Sequence, residues 1–163
     1  MSENLLRGER RDLPAGRNHE ELSALKGEGY NMLVDLTCVD YSPQGKSPRF
    51  DVIYRLMKFD MTDGKDLGRV ELHCAVGETA VLRSVSDLWP AADWLEREVW
   101  DMYGVKFVDR PDIKRLLMYE EFVGHPLRKD YPISMRQPLV GPADGVKAGA
   151  PSFNIPVAPD AGE

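Results

Sequence analysis

Three acids on one short stretch, Glu96, Glu98 and Asp101, and one histidine further on, His125, are the groups in this chain best suited to chemistry. Two carboxylates and an imidazole are the set a hydrolase uses for general acid and base work. The stretch reads Trp94-Leu-Glu-Arg-Glu-Val-Trp-Asp-Met-Tyr-Gly104, and on a helix at 100° per residue Glu96 and Glu98 lie about 200° apart. They cannot share a substrate. Glu98 and Asp101 are closer, but Arg97 stands beside them, and a cation favours ionised carboxylates over the raised pKa a general acid needs. The spacing points to a salt-bridge network, with Arg97 and Asp101 paired at i, i+4, and not to a catalytic pair. His125 has no second His or Cys at ligand spacing, which argues against a metal.

The remaining motifs carry no cofactor. Gly45-Lys46-Ser47 resembles a phosphate loop but has Asp40 where the first Gly is required. Gly27 and Gly29 have Met32 in place of the third Gly of a dinucleotide fingerprint. Cys38 and Cys74 are too far apart for a Cys-x-x-Cys site and read as reduced, small hydrophobes of a cytosolic protein. With 21 basic and 27 acidic residues the net charge is −6, so no global positive field draws the chain to nucleic acid or acidic lipid. No apolar run is long enough to span a bilayer, and no apolar segment follows the arginines of residues 1–17 as a secretory signal would require.

The elements that would position the acids follow from periodicity. Period-two alternation predicts strands over 31–41, 49–59 and 68–76, with Met32, Val34, Leu36 and Cys38 on the covered face of the first. Asp63-Gly64 reads as the hairpin turn between the second and third strands. His73 falls on the wetter face, as a solvated or cross-strand-paired side chain. A short helix is expected over 19–26 and a short fourth strand over 81–85. The acidic stretch is a helix from Pro90 to Tyr103, started by Pro90, favoured by Asp93 in its first turn and capped by Gly104. Its sheet-facing arc is Ala91, Leu95, Val99 and Met102, with Glu96 and Trp100 pointing elsewhere. Trp94 and Trp100 differ by about 240° on the wheel, so at least one faces outward, as an interface residue does. The fold class is therefore α+β: two layers, a mainly antiparallel sheet with helices on one face, then an extended C-terminal strap and tail. Residues 1–17 read as irregular, 18–108 as the α+β domain, and 109–163 as a partner-wrapping strap and tail.

That last segment is where the chain looks incomplete. Pro126 and Pro132 bias the strap Gly124-His-Pro-Leu-Arg-Lys-Asp-Tyr-Pro132 toward extended geometry, and Lys114, Arg115, Arg128 and Lys129 form a local basic set. Residues 138–163 are rich in Pro and Gly and too poor in large apolar side chains to offset their own ordering entropy. They need a partner or stay disordered.

Trp89-Pro90, the run Trp94 to Phe107 and the run Gly124 to Pro132 resemble the 30-kilodalton subunit family of respiratory complex I, the NADH-quinone oxidoreductase. Asp35-Leu-Thr37, Asp40-Tyr41 and Arg49-Phe-Asp-Val-Ile-Tyr54 are similar to that family's strands. The resemblance implies a non-catalytic peripheral-arm subunit that docks the large hydrogenase-like subunit beside neighbouring iron–sulfur subunits. FMN, iron–sulfur clusters and quinone would be carried by those partners, on the cytoplasmic side of the bacterial inner membrane. It also implies that docking or core-tying positions are Trp94, Glu96, Arg97, Glu98, Trp100, Asp101, Gly104 and Arg115. The strap adds Gly124, His125, Pro126, Leu127, Arg128, Lys129, Asp130, Tyr131 and Pro132. Three departures stand out: Asp109-Arg110-Pro111 replaces the family's Gly-His-Pro, Val123 replaces a Glu, and the segment before the first strand is short. The alternatives are the equivalent small subunit of a membrane-bound hydrogenase or formate-linked complex and, from another class, a free-standing hydrolase using Glu98, Asp101 and His125.

Overall fold

Strands form where the alternation places them. The computed structural model describes residues 8–110, 113–132 and 134. Its elements are β1 (Glu9–Asp12), α1 (Asn18–Gly27), β2 (Met32–Asp40), β3 (Phe50–Phe59), β4 (Asp66–Val76), β5 (Val81–Arg83), α2 (Ala92–Tyr103) and β6 (Lys106–Val108). The main sheet has the order β1-β4-β3-β2. Its three long strands are antiparallel neighbours, and β1 runs parallel to β4. The remaining two strands, β5 and β6, form a small parallel pair. This is the expected α+β class with a mainly antiparallel sheet.

One sheet face carries the core. Leu36, Cys38, Val52, Tyr54, Leu56, Val70, Leu72, Cys74 and Val76 join Leu22 and Leu25 of α1 and Ala92 and Val99 of α2 in one buried cluster. Each large side chain so buried contributes about 1.5–3 kcal/mol. Burial pushes both cysteine thiols up to about 12, which suits their reading as small hydrophobes. The β3–β4 turn closes as Asp63-Gly64 requires, with Gly64 at φ +72° donating its N–H to the Asp60 carbonyl. His73 is paired on the opposite sheet face: Nδ1 meets Asp51 at 2.7 Å and Nε2 meets Glu71 at 2.8 Å.

Four sequence expectations change. Residues 9–12, expected irregular, form β1. Glu-Arg-Arg-Asp has no apolar alternation, but the edge of β4 supplies a ladder from Glu9↔Val70 to Asp12↔His73, and Leu13 beyond it is buried. In β2 the alternation breaks, because a register shift between Leu33 and Asp35 turns Leu33 inward and leaves Met32 and Val34 exposed. The helix begins at Ala92, and its buried arc is Ala92, Glu96, Val99 and Met102 with Leu95 half-buried; Ala91 is exposed. Finally, the described part of the strap, 113–132 and 134, packs back onto the chain's own domain. The expected tail, 138–163, lies outside the described residues.

Candidate functional site

Asp101 organises the junction of helix and strap. It is fully buried. Its Oδ1 accepts from Arg115 Nη1 at 2.6 Å, and its Oδ2 accepts three consecutive backbone N–H groups, Leu116, Leu117 and Met118, at 3.0, 2.8 and 2.9 Å. Burial opposes the charge, but the N–H groups of Met118 and Leu117 and the Arg115 guanidinium outweigh it and hold the carboxyl below the usual aspartate range. Arg115 continues the chain of bonds by donating Nη2 to the carbonyls of Phe122 (2.7 Å) and Gly124 (3.1 Å). The expected Arg97–Asp101 pair is not made. Arg97 instead donates to the backbone carbonyls of Lys114 and Arg115, because the strap supplies Asp101 with better-placed donors.

The helix C-terminus takes the next part of the strap. His125 Nδ1–H donates to the Asp101 carbonyl at 2.9 Å, and Leu127 N–H donates to the Met102 carbonyl at 3.1 Å. These fill carbonyls that a helix end leaves open. Gly104 is needed twice: its φ is +80°, and a Cβ there would stand 2.7 Å from the His125 ring. Gly124, at φ +94°, would bring a Cβ to 3.0 Å from the Tyr131 ring. Trp100 is half-buried under His125 and the Arg115 guanidinium, so the strap covers it. Trp94 is the outward tryptophan, 58% exposed, with Arg97 over its ring.

A second buried acid fixes the far end of the strap. Asp40, at the end of β2, is gripped by Arg49 through Nε–Oδ1 (2.9 Å) and Nη2–Oδ2 (2.6 Å), and accepts the Lys129 N–H at 2.8 Å. The Arg49 contact holds its carboxyl well below the usual range. Asp130 bonds Arg128 and Arg49, in that order of effect, and is held low as well. Glu78 joins both arginines. Sequence reasoning missed Asp40, Arg49 and Glu78 as part of this site. The signal was present, since Asp40 continues the inward parity of Leu36 and Cys38 and a charged residue in that register needs a partner.

Glu96 also departs from expectation. It faces inward, fully buried, accepting Val85 N–H at 2.8 Å and the Ser84 hydroxyl at 2.7 Å, with Arg110 Nη1 at 3.4 Å. Those bonds tie α2 to the segment that follows β5. Glu98 is exposed, as are Lys129, Asp130 and Pro132, while Pro126, Arg128 and Tyr131 are half-buried. Of the three groups that a hydrolase would need, Asp101's carboxylate is taken up by the strap, His125 Nδ1 meets the Asp101 backbone carbonyl, and Glu98 faces solvent.

With its backbone turned inward, the strap presents apolar side chains outward. Leu117, Tyr119, Val123 and Leu127 are all exposed, as is Trp94 on the helix. Several exposed apolar side chains on one segment have the chemistry of a protein interface.

The family model described as respiratory-chain NADH dehydrogenase, 30 Kd subunit, matches residues 12–137. An NADH-quinone oxidoreductase subunit from Citrifermentans bemidjiense is 44% identical over 114 residues, 69% of this chain and 67% of that protein. Its counterpart from Ruegeria sp. is 45% identical over 103 residues, 63% of this chain and 48% of that protein. The chain thus spans about half to two thirds of the length of these relatives. Among solved structures, a trypsin-resistant fragment of Nqo5 superposes with a TM-score of 0.58 at 36% identity, covering 63% of this chain and 80% of the fragment. A chain of an archaeal membrane-bound sulfane sulfur reductase, at 22% identity and TM-score 0.59 over 78% of this chain and 75% of its own, shares the fold alone. The helix motif, the strap and the sheet that holds them, matched from residue 12 to residue 137, place this chain in the family of the 30-kilodalton subunit of respiratory-chain NADH dehydrogenase.

Proposed function

We propose that this chain is a non-catalytic peripheral-arm subunit of a proton-translocating NADH:quinone oxidoreductase, and that it docks the large hydrogenase-like subunit. The observation that carries the docking role is the set of exposed apolar side chains of the strap, Leu117, Tyr119, Val123 and Leu127, together with exposed Trp94 on the helix. Trp and Tyr are among the side chains in which protein interfaces concentrate their binding energy, and aliphatic neighbours such as Leu and Val help exclude water around them. Family membership and the relatives' names support the complex to which the reading assigns it. On this reading the neighbouring iron–sulfur subunits also pack nearby. FMN, clusters and quinone belong to the partners, and electron transfer from NADH to quinone is supported mechanically, by holding their carriers in register. None of the helices among the described residues is long and apolar enough to cross a membrane, which fits attachment through the complex on the cytoplasmic face of the bacterial inner membrane.

Co-expression with the large hydrogenase-like subunit and the adjacent iron–sulfur subunits, followed by affinity capture of this chain, tests the reading. Stoichiometric recovery of the large subunit is expected. Trp94→Ala combined with Leu127→Asp should cut that recovery at least tenfold and leave the melting temperature of the free chain unchanged. Capture that recovers neither the large subunit nor a cluster-bearing one would overturn it.

A further inference from the structure

The strap has no helix and no strand between residues 113 and 132, yet its backbone is held at every few residues. Asp101 takes the N–H groups of 116, 117 and 118, and Arg115 takes the carbonyls of 122 and 124. The end of α2 takes His125 and Leu127, and Asp40 takes Lys129. Every one of these bonds is made within the chain itself. The two acids at the ends of this series are both buried, and both are themselves held by an arginine. A buried carboxylate that accepts several backbone N–H groups fixes backbone in the way a ladder does, by a charge-assisted bond that water cannot easily replace.

We infer that Asp101 and Asp40 are positioning residues that preform the docking strap, so that its exposed apolar side chains are in place in the free subunit before any partner arrives. Docking is then a rigid-body event of the kind in which interface backbone moves little, with the ordering entropy of the strap already spent during folding of the domain. The inference rests on the docking reading for its use, but the order of the strap in the free chain does not depend on a partner.

Amide hydrogen exchange on the full-length chain alone is the test. Leu116, Leu117, Met118, Leu127 and Lys129 should exchange at least about 100-fold more slowly than unstructured amides, which is the protection of a locally stable unit. Asp101→Asn should speed residues 116–118 and Leu127 by about 10–100-fold and leave the amides of β3 and β4 unchanged. If that variant loses protection throughout, Arg115→Lys decides. It keeps a cation at Asp101 but shortens the reach to the carbonyls of Phe122 and Gly124, and it should speed the same strap amides alone. Unprotected strap amides in the parent chain, or strap exchange unmoved by both substitutions, would overturn the inference. Against the purified large hydrogenase-like subunit, Asp101→Asn should slow association at least tenfold, with a smaller change in dissociation. A parent chain that shows protected strap amides yet does not bind that subunit would sink the docking reading and leave the preformed strap standing.

Discussion

Helix α2 carries two buried carboxylates that behave oppositely. Asp101 and Glu96 are each 0% exposed, and burial pushes each toward its neutral form. Asp101 nonetheless stays ionised more readily than a free aspartate, while Glu96 is shifted up. The partners account for the difference. Asp101 accepts from a guanidinium at 2.6 Å and three backbone N–H groups, whereas Glu96 has one N–H, one hydroxyl and a guanidinium no nearer than 3.4 Å. At the strap end the charge is fully compensated and holds irregular backbone in place. At the β5 end it is tolerated, and the acid serves as an acceptor that ties the helix to the residues just after that strand.

Removing compensation should therefore be worse at the strap end. Arg115→Met leaves the Asp101 charge buried with neutral donors only, and breaking such pairs costs about 3–5 kcal/mol. Because the Arg115 side chain is 13% exposed and the three N–H groups remain, the loss should fall near the low end, about 3 kcal/mol by urea denaturation. Arg110→Met beside Glu96 should cost clearly less, since Glu96 can take up a proton. Equal losses would break the comparison.

Isosteric amides sharpen it. Asp101→Asn turns a donor group toward backbone N–H groups and a guanidinium, and an unsatisfied buried donor costs about 1–3 kcal/mol. Glu96→Gln keeps an oxygen for Val85 N–H and offers its NH2 to the Ser84 hydroxyl oxygen, which can accept. Its cost should stay under about 1 kcal/mol in the same measurement.

The pH dependence has opposite signs at the two acids. Asp101 and Asp40 have folded values below the unfolded one, so they stabilise the fold above the ordinary aspartate pKa of about 3.9, and that contribution is lost as pH falls through their lower folded values. Glu96 has a folded value above the unfolded one. Its contribution is present below about 4.3 and is lost as pH rises through its raised folded value. Above about pH 4.3, where the gains from Asp101 and Asp40 are already in place, the stability of the parent chain should thus fall with rising pH relative to that of Glu96→Gln, as Glu96 passes through its raised folded value. A Glu96→Gln curve parallel to the parent's would mean that Glu96 does not titrate as its surroundings imply.

How far the sequence discloses this arrangement depends on what holds each part. Alternation finds β2, β3 and β4 because transfer of one face from water is a periodic signal, and it finds the class of the fold with them. It fails at Val34, where a bulge shifts parity by one residue, and at Glu9–Asp12, whose pairing comes from the edge of β4 and not from its own side chains. The helix wheel assigns Val99 and Met102 to the core but sends Glu96 outward, because the wheel cannot know that Val85 N–H and Ser84 wait beneath it. The strap is least legible. Its motif is visible, but its order comes from side-chain to backbone bonds between residues 15 to 17 positions apart, such as Asp101 to Leu116, Leu117 and Met118, and these have no period to detect.

One departure from the family pattern has a local cause and carries the smallest predicted effect. Asp109, standing where the resemblance expects Gly, is the non-glycine residue with positive φ among those described, at +63°. A side chain in that region is strained, and Asp tolerates it better than most. Its compensation is an ion pair with Arg83 at 2.8 Å in which both side chains are more than half exposed, worth about 0–1 kcal/mol. Asp109→Gly relieves the strain, gives up that pair and adds freedom to the unfolded chain. The net should be a gain of about 0.5 kcal/mol, read as a slightly higher urea midpoint with an unchanged slope. A loss above about 1 kcal/mol would mean that the Arg83–Asp109 pair holds β5 to β6 more firmly than its exposure allows, and that the β5 end of α2 depends on charge compensation as the strap end does.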